Sequence, residues 1–94
     1  MFYVYILASR PNGTLYIGVT NNLLRRLDEH SRGSSNTFTR RYGVHTLVYY
    51  EEFQWIDDAI AREKQLKGWN RAWKIRLIET INPDWNDIAA SVPY

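Results

Sequence analysis

Five residues of this chain carry groups that phosphate chemistry uses: Tyr5 and Tyr16, Arg26 and His30, and Glu63. Together they offer phenols that accept or pass a proton, a guanidinium that pairs with a phosphate, an imidazole and a carboxylate. Arg26 and His30 stand four residues apart, the spacing that puts two side chains on one stripe of a helix. Glu63 falls within an apolar stripe made by Ile56, Ala59, Ile60 and Leu66, where a carboxylate is costly unless its charge is satisfied. A divalent cation satisfies it, and so does a structural ion pair; position alone leaves both open. No second carboxylate lies in reach, which favours one metal ion over a two-metal clamp.

The elements that must position these groups follow from local pattern. Residues 2–9 and 14–20 are rich in β-branched and aromatic types, and Arg10-Pro11-Asn12-Gly13 between them supplies turn formers, so an antiparallel hairpin is predicted. A period of two puts Tyr3 and Tyr5 on one face of the first strand and Phe2, Val4 and Ile6 on the other. In the second strand Tyr16 and Gly18 share a face opposite Leu15, Ile17 and Val19. Each strand thus has an apolar core face and a tyrosine-bearing face, and Gly18 inside a strand marks a bulge or the close approach of another group. Tyr3, Tyr5 and Tyr16 as plain sheet-surface aromatics are the alternative.

Thr20 or Asn21 is the predicted cap of a helix from about Asn22 to Arg32, stopped at Gly33, with Leu23, Leu24 and Leu27 as its apolar stripe. Asn22, Arg26 and His30 follow one another at four-residue steps beside it; ordinary exposed helix residues are the alternative reading. Residues 37–43 read either as a helical turn or as an ordered loop. A third strand spans His45 to Phe53, and a helix runs from Ile56 to Lys67, ended by Gly68. Asn70 caps a further helix to about Ile81, Asn82-Pro83 breaks it, and residues 84–88 form a short turn that docks Trp85 and Ile88. The order β-β-α-β-α-α predicts an α+β fold: a small three-stranded antiparallel sheet flanked by helices.

Ninety-four residues make one domain, 1–94, with a modest core. The absence of cysteine excludes a disulfide framework and a thiolate zinc site, and two histidines are too few for a His cage, so any metal is a hard cation held by oxygen. The apolar first nine residues lack a basic leader and are too short for a bilayer, so a soluble cytoplasmic protein without a membrane partner is expected. A net charge of +2 conceals local clusters. Arg25, Arg26, Arg32, Arg40 and Arg41 form one, and Arg62, Lys64, Lys67, Arg71, Lys74 and Arg76 another. With aromatics between them they suit a polyanion, although charge runs of this length are also ordinary solvated helix faces.

Tyr3-Val4-Tyr5, Tyr16-Ile17-Gly18, Arg26, His30 and Glu63 in this order resemble the GIY-YIG nuclease superfamily, and the resemblance covers nearly the whole chain. The runs Phe38 to Gly43, Leu47 to Glu51, Glu63 to Trp69 and Asn82 to Trp85 resemble its small single-domain bacterial branch. The resemblance implies a metal-dependent endonuclease acting on DNA. Of Tyr5 and Tyr16, one would help deprotonate the attacking water and the other orient it. Arg26 would hold the scissile phosphate, His30 assist proton movement, and Glu63 hold a single Mg²⁺ or Mn²⁺. Arg25, Arg40, Arg41, Lys67, Arg71 and Lys74 suit backbone contacts blind to sequence. The chain departs from the pattern in three places. The first half motif lacks its glycine, Val19 stands where some members have a lysine, and a late asparagine matches neither Asn70 nor Asn82 unambiguously.

The leading expectation is a DNA endonuclease with little sequence preference, serving repair or processing of unusual DNA and targeted by a protein partner. The alternative is a nucleic-acid-binding module of the same fold without useful catalysis. A third reading is a protein-interaction domain whose four tryptophans serve packing and docking.

Overall fold

Strand β1 (Phe2–Ala8) turns through Arg10–Gly13 into β2 (Leu15–Thr20). Gly13 N–H donates to the Arg10 carbonyl at 2.9 Å, with Pro11 at the second turn position and Asn12 at φ 57°. This is the type II pattern, in which proline presets one dihedral and asparagine tolerates the left-handed one. The computed structural model describes residues 1–31 and 41–92, with no description of the Ser31 side chain. The predicted helix stop at Gly33 and most of the 37–43 segment lie outside these residues; Arg41 and Tyr42 are helical.

Helix α1 (Leu23–Ser31) follows the hairpin, then β3 (Thr46–Phe53), α2 (Ile56–Gly68), α3 (Arg71–Ile81) and a 3-10 turn (Ala89–Ser91). The sheet is three-stranded and antiparallel in the order β2-β1-β3, so the first strand is the central one. On β3, Tyr49 pairs with Ile6 and Leu47 with Leu7, leaving Val48 as an extra residue that kinks the ladder. The predicted α+β order is the observed one.

Both sheet faces are covered, which differs from the predicted division into a core face and a tyrosine face. Val4, Ile6, Ala8, Ile17, Val48, Ala59, Leu66, Ile78 and Trp85 pack on one side, beneath α2 and α3. Tyr3, Tyr5, Leu7, Leu23, Val44, Leu47 and Val92 pack on the other, beneath α1 and the C-terminal segment. A central strand flanked on both edges has helices above and below it, so even its tyrosines are buried.

The chain turns at 82–85, with Trp85 N–H donating to the Asn82 carbonyl at 3.1 Å, a little ahead of the predicted 84–88, and a 3-10 turn follows at Ala89–Ser91. Trp85 and Ile88 do dock, into opposite cores, with Trp85 Nε1–H donating to Glu79 Oε2 at 2.7 Å. Asn82 holds this return in place: its Nδ2 donates to the Val48 and Asn86 carbonyls at 3.0 and 2.9 Å, and its Oδ1 accepts from Asn86 N–H at 3.0 Å. Among the described residues no helix is long and apolar enough to cross a membrane.

Candidate active site

Tyr5 pairs with Gly18 across the hairpin, and a Cβ placed on Gly18 would lie 2.5 Å from the Tyr5 hydroxyl and 2.6 Å from Cζ. The phenol therefore lies across the neighbouring strand in space that any side chain at 18 would fill. Of the two meanings of a strand glycine, this is the close approach. Tyr16, on the same face of β2, stands beside it with ring centroids 6.2 Å apart.

Helix α1 brings the third member. Asn22 Oδ1 accepts from Arg25 N–H at 3.1 Å, so Asn22 is the N-cap rather than Thr20 or Asn21. Thr20 instead closes the turn before the helix, its Oγ1 accepting from Asn22 N–H at 3.1 Å. From this start Leu23, Leu27 and His30 turn inward. His30 is 1 % exposed, which excludes its reading as an ordinary surface residue, and its Nε2 lies 3.1 Å from the Tyr5 hydroxyl. The His30 ring also meets the Tyr16 ring edge-on at 5.4 Å.

Electrostatics fixes the protonation of Tyr5 and His30 at neutral pH. Burial above all pushes the Tyr5 phenol well above its ordinary pKa; Tyr16 and the Glu63 charge add to this, while Arg26 opposes it. Burial, then Arg26, lowers His30, with Glu29 opposing. Tyr5 thus keeps its proton and His30 is a neutral imidazole, so their hydrogen bond joins two uncharged groups and the imidazole tautomer sets which of them donates. Arg26, half-buried one turn before His30, pairs with Glu29 at 3.6 Å and acts on both rings through its charge.

Glu63 projects from α2 with its side chain 17 % exposed. Lys67, one turn on and 55 % exposed, partners it at 3.3 Å. The carboxylate is therefore not locked in a dry ion pair: its cation sits at the water boundary and can swing aside. The charge of Glu63 is the smallest of the influences that raise the Tyr5 phenol. Within the described residues no cluster of three or more metal-ligating side chains exists. A single half-buried carboxylate fits a hard divalent ion whose other ligands are waters and substrate oxygens, the habit of Mg²⁺.

Beside this group opens a recess of about 360 Å³ lined by Leu15, Tyr16, Ile17, Lys67 and Lys74. Tyr16, half-buried, lines the recess, whereas Tyr5, 2 % exposed, does not. Lys67 and Lys74 give the recess a cationic rim. The other basic residues are dispersed. Arg25 is exposed on α1, and Arg41 is exposed with its guanidinium 5.6 Å from the Tyr42 ring centroid; Arg40 lies outside the described residues. Arg71 donates through Nη2 to the Asn12 carbonyl at 2.6 Å and to the Gly13 carbonyl, clasping the hairpin turn to α3. Arg62 is bound to Glu51, with Nε and Nη2 each 3.0 Å from a carboxylate oxygen.

Asn70 caps α3, its Oδ1 accepting from Trp73 N–H at 2.9 Å, and Asn82 is occupied by the C-terminal return. Val19 packs against the apolar core. Sequence reasoning did not anticipate the Glu63–Lys67 pair, although its i,i+4 spacing was the available signal.

A family model for the GIY-YIG catalytic domain matches residues 1–76. A UPF0213 protein of Clostridium perfringens is 40 % identical over 80 residues, 85 % of this chain and 85 % of that one. Another, of Natronomonas pharaonis, is 41 % identical over 76 residues, covering 81 % and 88 % of the two chains. The solution NMR structure of a UPF0213 protein from Bacillus halodurans superposes with a TM-score of 0.57 and 30 % identity, covering 93 % of each chain.

Proposed function

The chain belongs to the GIY-YIG catalytic-domain family, a family of nucleases, and from that premise we propose that it is a cytoplasmic metal-dependent endonuclease hydrolysing DNA phosphodiester bonds in repair or processing. The observation that carries this reading is the meeting of Tyr16, Tyr5 and His30 beside a lysine-rimmed recess, with the charges of Arg26 and Glu63 both acting on Tyr5.

In this mechanism the DNA backbone lies in the recess, held by Lys67 and Lys74. Tyr16, at the open side, orients the attacking water and accepts its proton as attack proceeds. The Tyr16 ring stands beside that of Tyr5, 6.2 Å between centroids, and the Tyr5 hydroxyl is 3.1 Å from His30 Nε2, so a proton leaving the water has an inward path that ends on the neutral imidazole in its Nδ1–H tautomer. Tyr5 and His30 are positioning and relay groups, since neither fronts the recess. Arg26 neutralises charge growing on the non-bridging oxygens, a role typically worth a hundred- to thousandfold in rate, or about 3 to 4 kcal/mol. Glu63 would hold one Mg²⁺ or Mn²⁺, which when bound offsets charge on the phosphate and the leaving oxygen. The substrate itself draws Lys67 from Glu63 toward phosphate, freeing the carboxylate as the DNA arrives. Targeting to a particular DNA is left to a protein partner.

Incubating the protein with linear, nicked, flapped and four-way DNA in Mg²⁺, with RNA and EDTA controls, tests the reading. Metal-dependent strand scission of DNA is the expected result. Salt-sensitive binding without scission would leave a nucleic-acid-binding module in its place.

A further inference from the structure

Trp69, Trp73, Arg76, Leu77 and Thr80 line a second recess, of about 280 Å³, that the hydrolytic mechanism leaves unused. The two indoles form a corner, with centroids 5.7 Å apart and planes at 86°. Trp69 is held rigidly, with the Arg62 guanidinium 5.2 Å from its ring centroid and that guanidinium fixed on Glu51. Trp73 is 52 % exposed. A large ring left in water beside a preformed recess marks a surface that receives something.

Charge says what that is. The recess lining has a cation, Arg76, and no carboxylate. Lys74, next to Trp73 in sequence, lines the recess at Tyr16 together with Lys67. Cationic side chains therefore lead from the candidate nucleophile side of the site to the aromatic corner. An apolar peptide would use Trp73 and Leu77 but leave these cations without a complement. A second copy, meeting this face with its own, would set Arg76 and Lys74 against Arg76 and Lys74. A flat ring carrying its own anions satisfies both features.

Resting on the nuclease reading, we propose that this corner receives an unpaired nucleobase of the substrate, stacked on Trp73, with the flanking phosphates on Arg76, Lys74 and Lys67. The substrate class is then DNA with a single-stranded segment beside the bond to be cut. Stacking on an aromatic side chain is sequence-tolerant because every base has a π face.

The test is a binding titration in EDTA, where no cleavage intervenes, using a short blunt duplex and the same duplex with a single-stranded overhang. The wild type, Trp73→Ala, Trp73→Phe and Arg76→Ala are compared, with circular dichroism to verify folding. The wild type should bind the overhang more tightly than the blunt duplex. Trp73→Ala should lower overhang affinity roughly five- to hundredfold and collapse that preference, whereas Trp73→Phe keeps most of it. Equal affinity of the wild type for both DNAs, or an unchanged preference in Trp73→Ala, overturns the proposal. So does a wild-type dimer that Trp73→Ala dissociates while the overhang preference persists, which assigns the corner to a second copy. The two readings fail separately: a Trp73-dependent preference without scission in Mg²⁺ refutes only the nuclease. Scission of overhang and blunt DNA alike, insensitive to Trp73→Ala, refutes only the base-binding corner.

Discussion

The Tyr5 hydroxyl lies 2.5 Å from where a Cβ of Gly18 would stand, so the half motif on one strand has a buried phenol occupying the missing side chain of the half motif on the next. Gly18→Ala must therefore push a 2 %-exposed ring off His30 or spread the hairpin. Urea unfolding should show a loss of about 1 to 3 kcal/mol, the usual cost of overpacking. DNA cleavage should fall with it, and tolerance of alanine at 18 in both assays would contradict the arrangement.

His30 ties stability to pH. Its folded-state pKa is depressed, chiefly by burial, below the value near 6.5 of an unfolded histidine. As the pH falls, the unfolded chain takes up that proton first. The stabilisation due to His30 is therefore complete above about pH 6.5 and is lost as the pH drops toward the folded-state value. Urea midpoints measured from pH 8 to pH 5 should decline more steeply in the wild type than in His30→Gln, and parallel curves would refute a buried neutral imidazole.

Lys74, on the rim beside Tyr16, should act as a phosphate contact indifferent to sequence. Lys74→Ala is expected to weaken duplex binding for every sequence tested. It should also make the slope of log K against log salt shallower by about 0.9, the release of roughly one counterion. An unchanged slope would remove Lys74 from the DNA path.

Asn82 separates stability from chemistry. Asn82→Ala leaves the buried Val48 carbonyl and the Asn86 backbone N–H without their present partners, a loss of about 1 to 3 kcal/mol. Scission per folded molecule should stay near the wild-type rate well below the melting temperature. A rate loss exceeding the loss of folded protein would make Asn82 part of the site.

Much of this architecture is legible in the residues because local signals agree. Pro11-Asn12-Gly13 between two β-branched runs dictates the hairpin, Asn70 caps α3, and four-residue spacing puts Arg26 and His30 on one side of α1. What is not legible is lateral reach. Period two puts Tyr5 and Tyr16 on one face, yet says nothing of Tyr5 lying buried while Tyr16 meets the recess. That difference arises because β1 is central and β2 is an edge, a fact of tertiary pairing. Charge runs mislead for a similar reason: Arg62 and Arg71 belong to a basic cluster in sequence, but internal acceptors on Glu51 and the hairpin turn engage them.

The central claim is that Glu63 serves the same phosphodiester as Tyr16. The most direct measurement is single-turnover cleavage of a DNA substrate in saturating Mg²⁺ by the wild type and Glu63→Gln, with binding measured in parallel in EDTA. The expected result is a rate at least a hundredfold lower in the variant, about 2.7 kcal/mol, with DNA affinity equal or slightly higher as Lys67 loses its carboxylate partner. Cleavage by Glu63→Gln at the wild-type rate and with the wild-type metal dependence would contradict it.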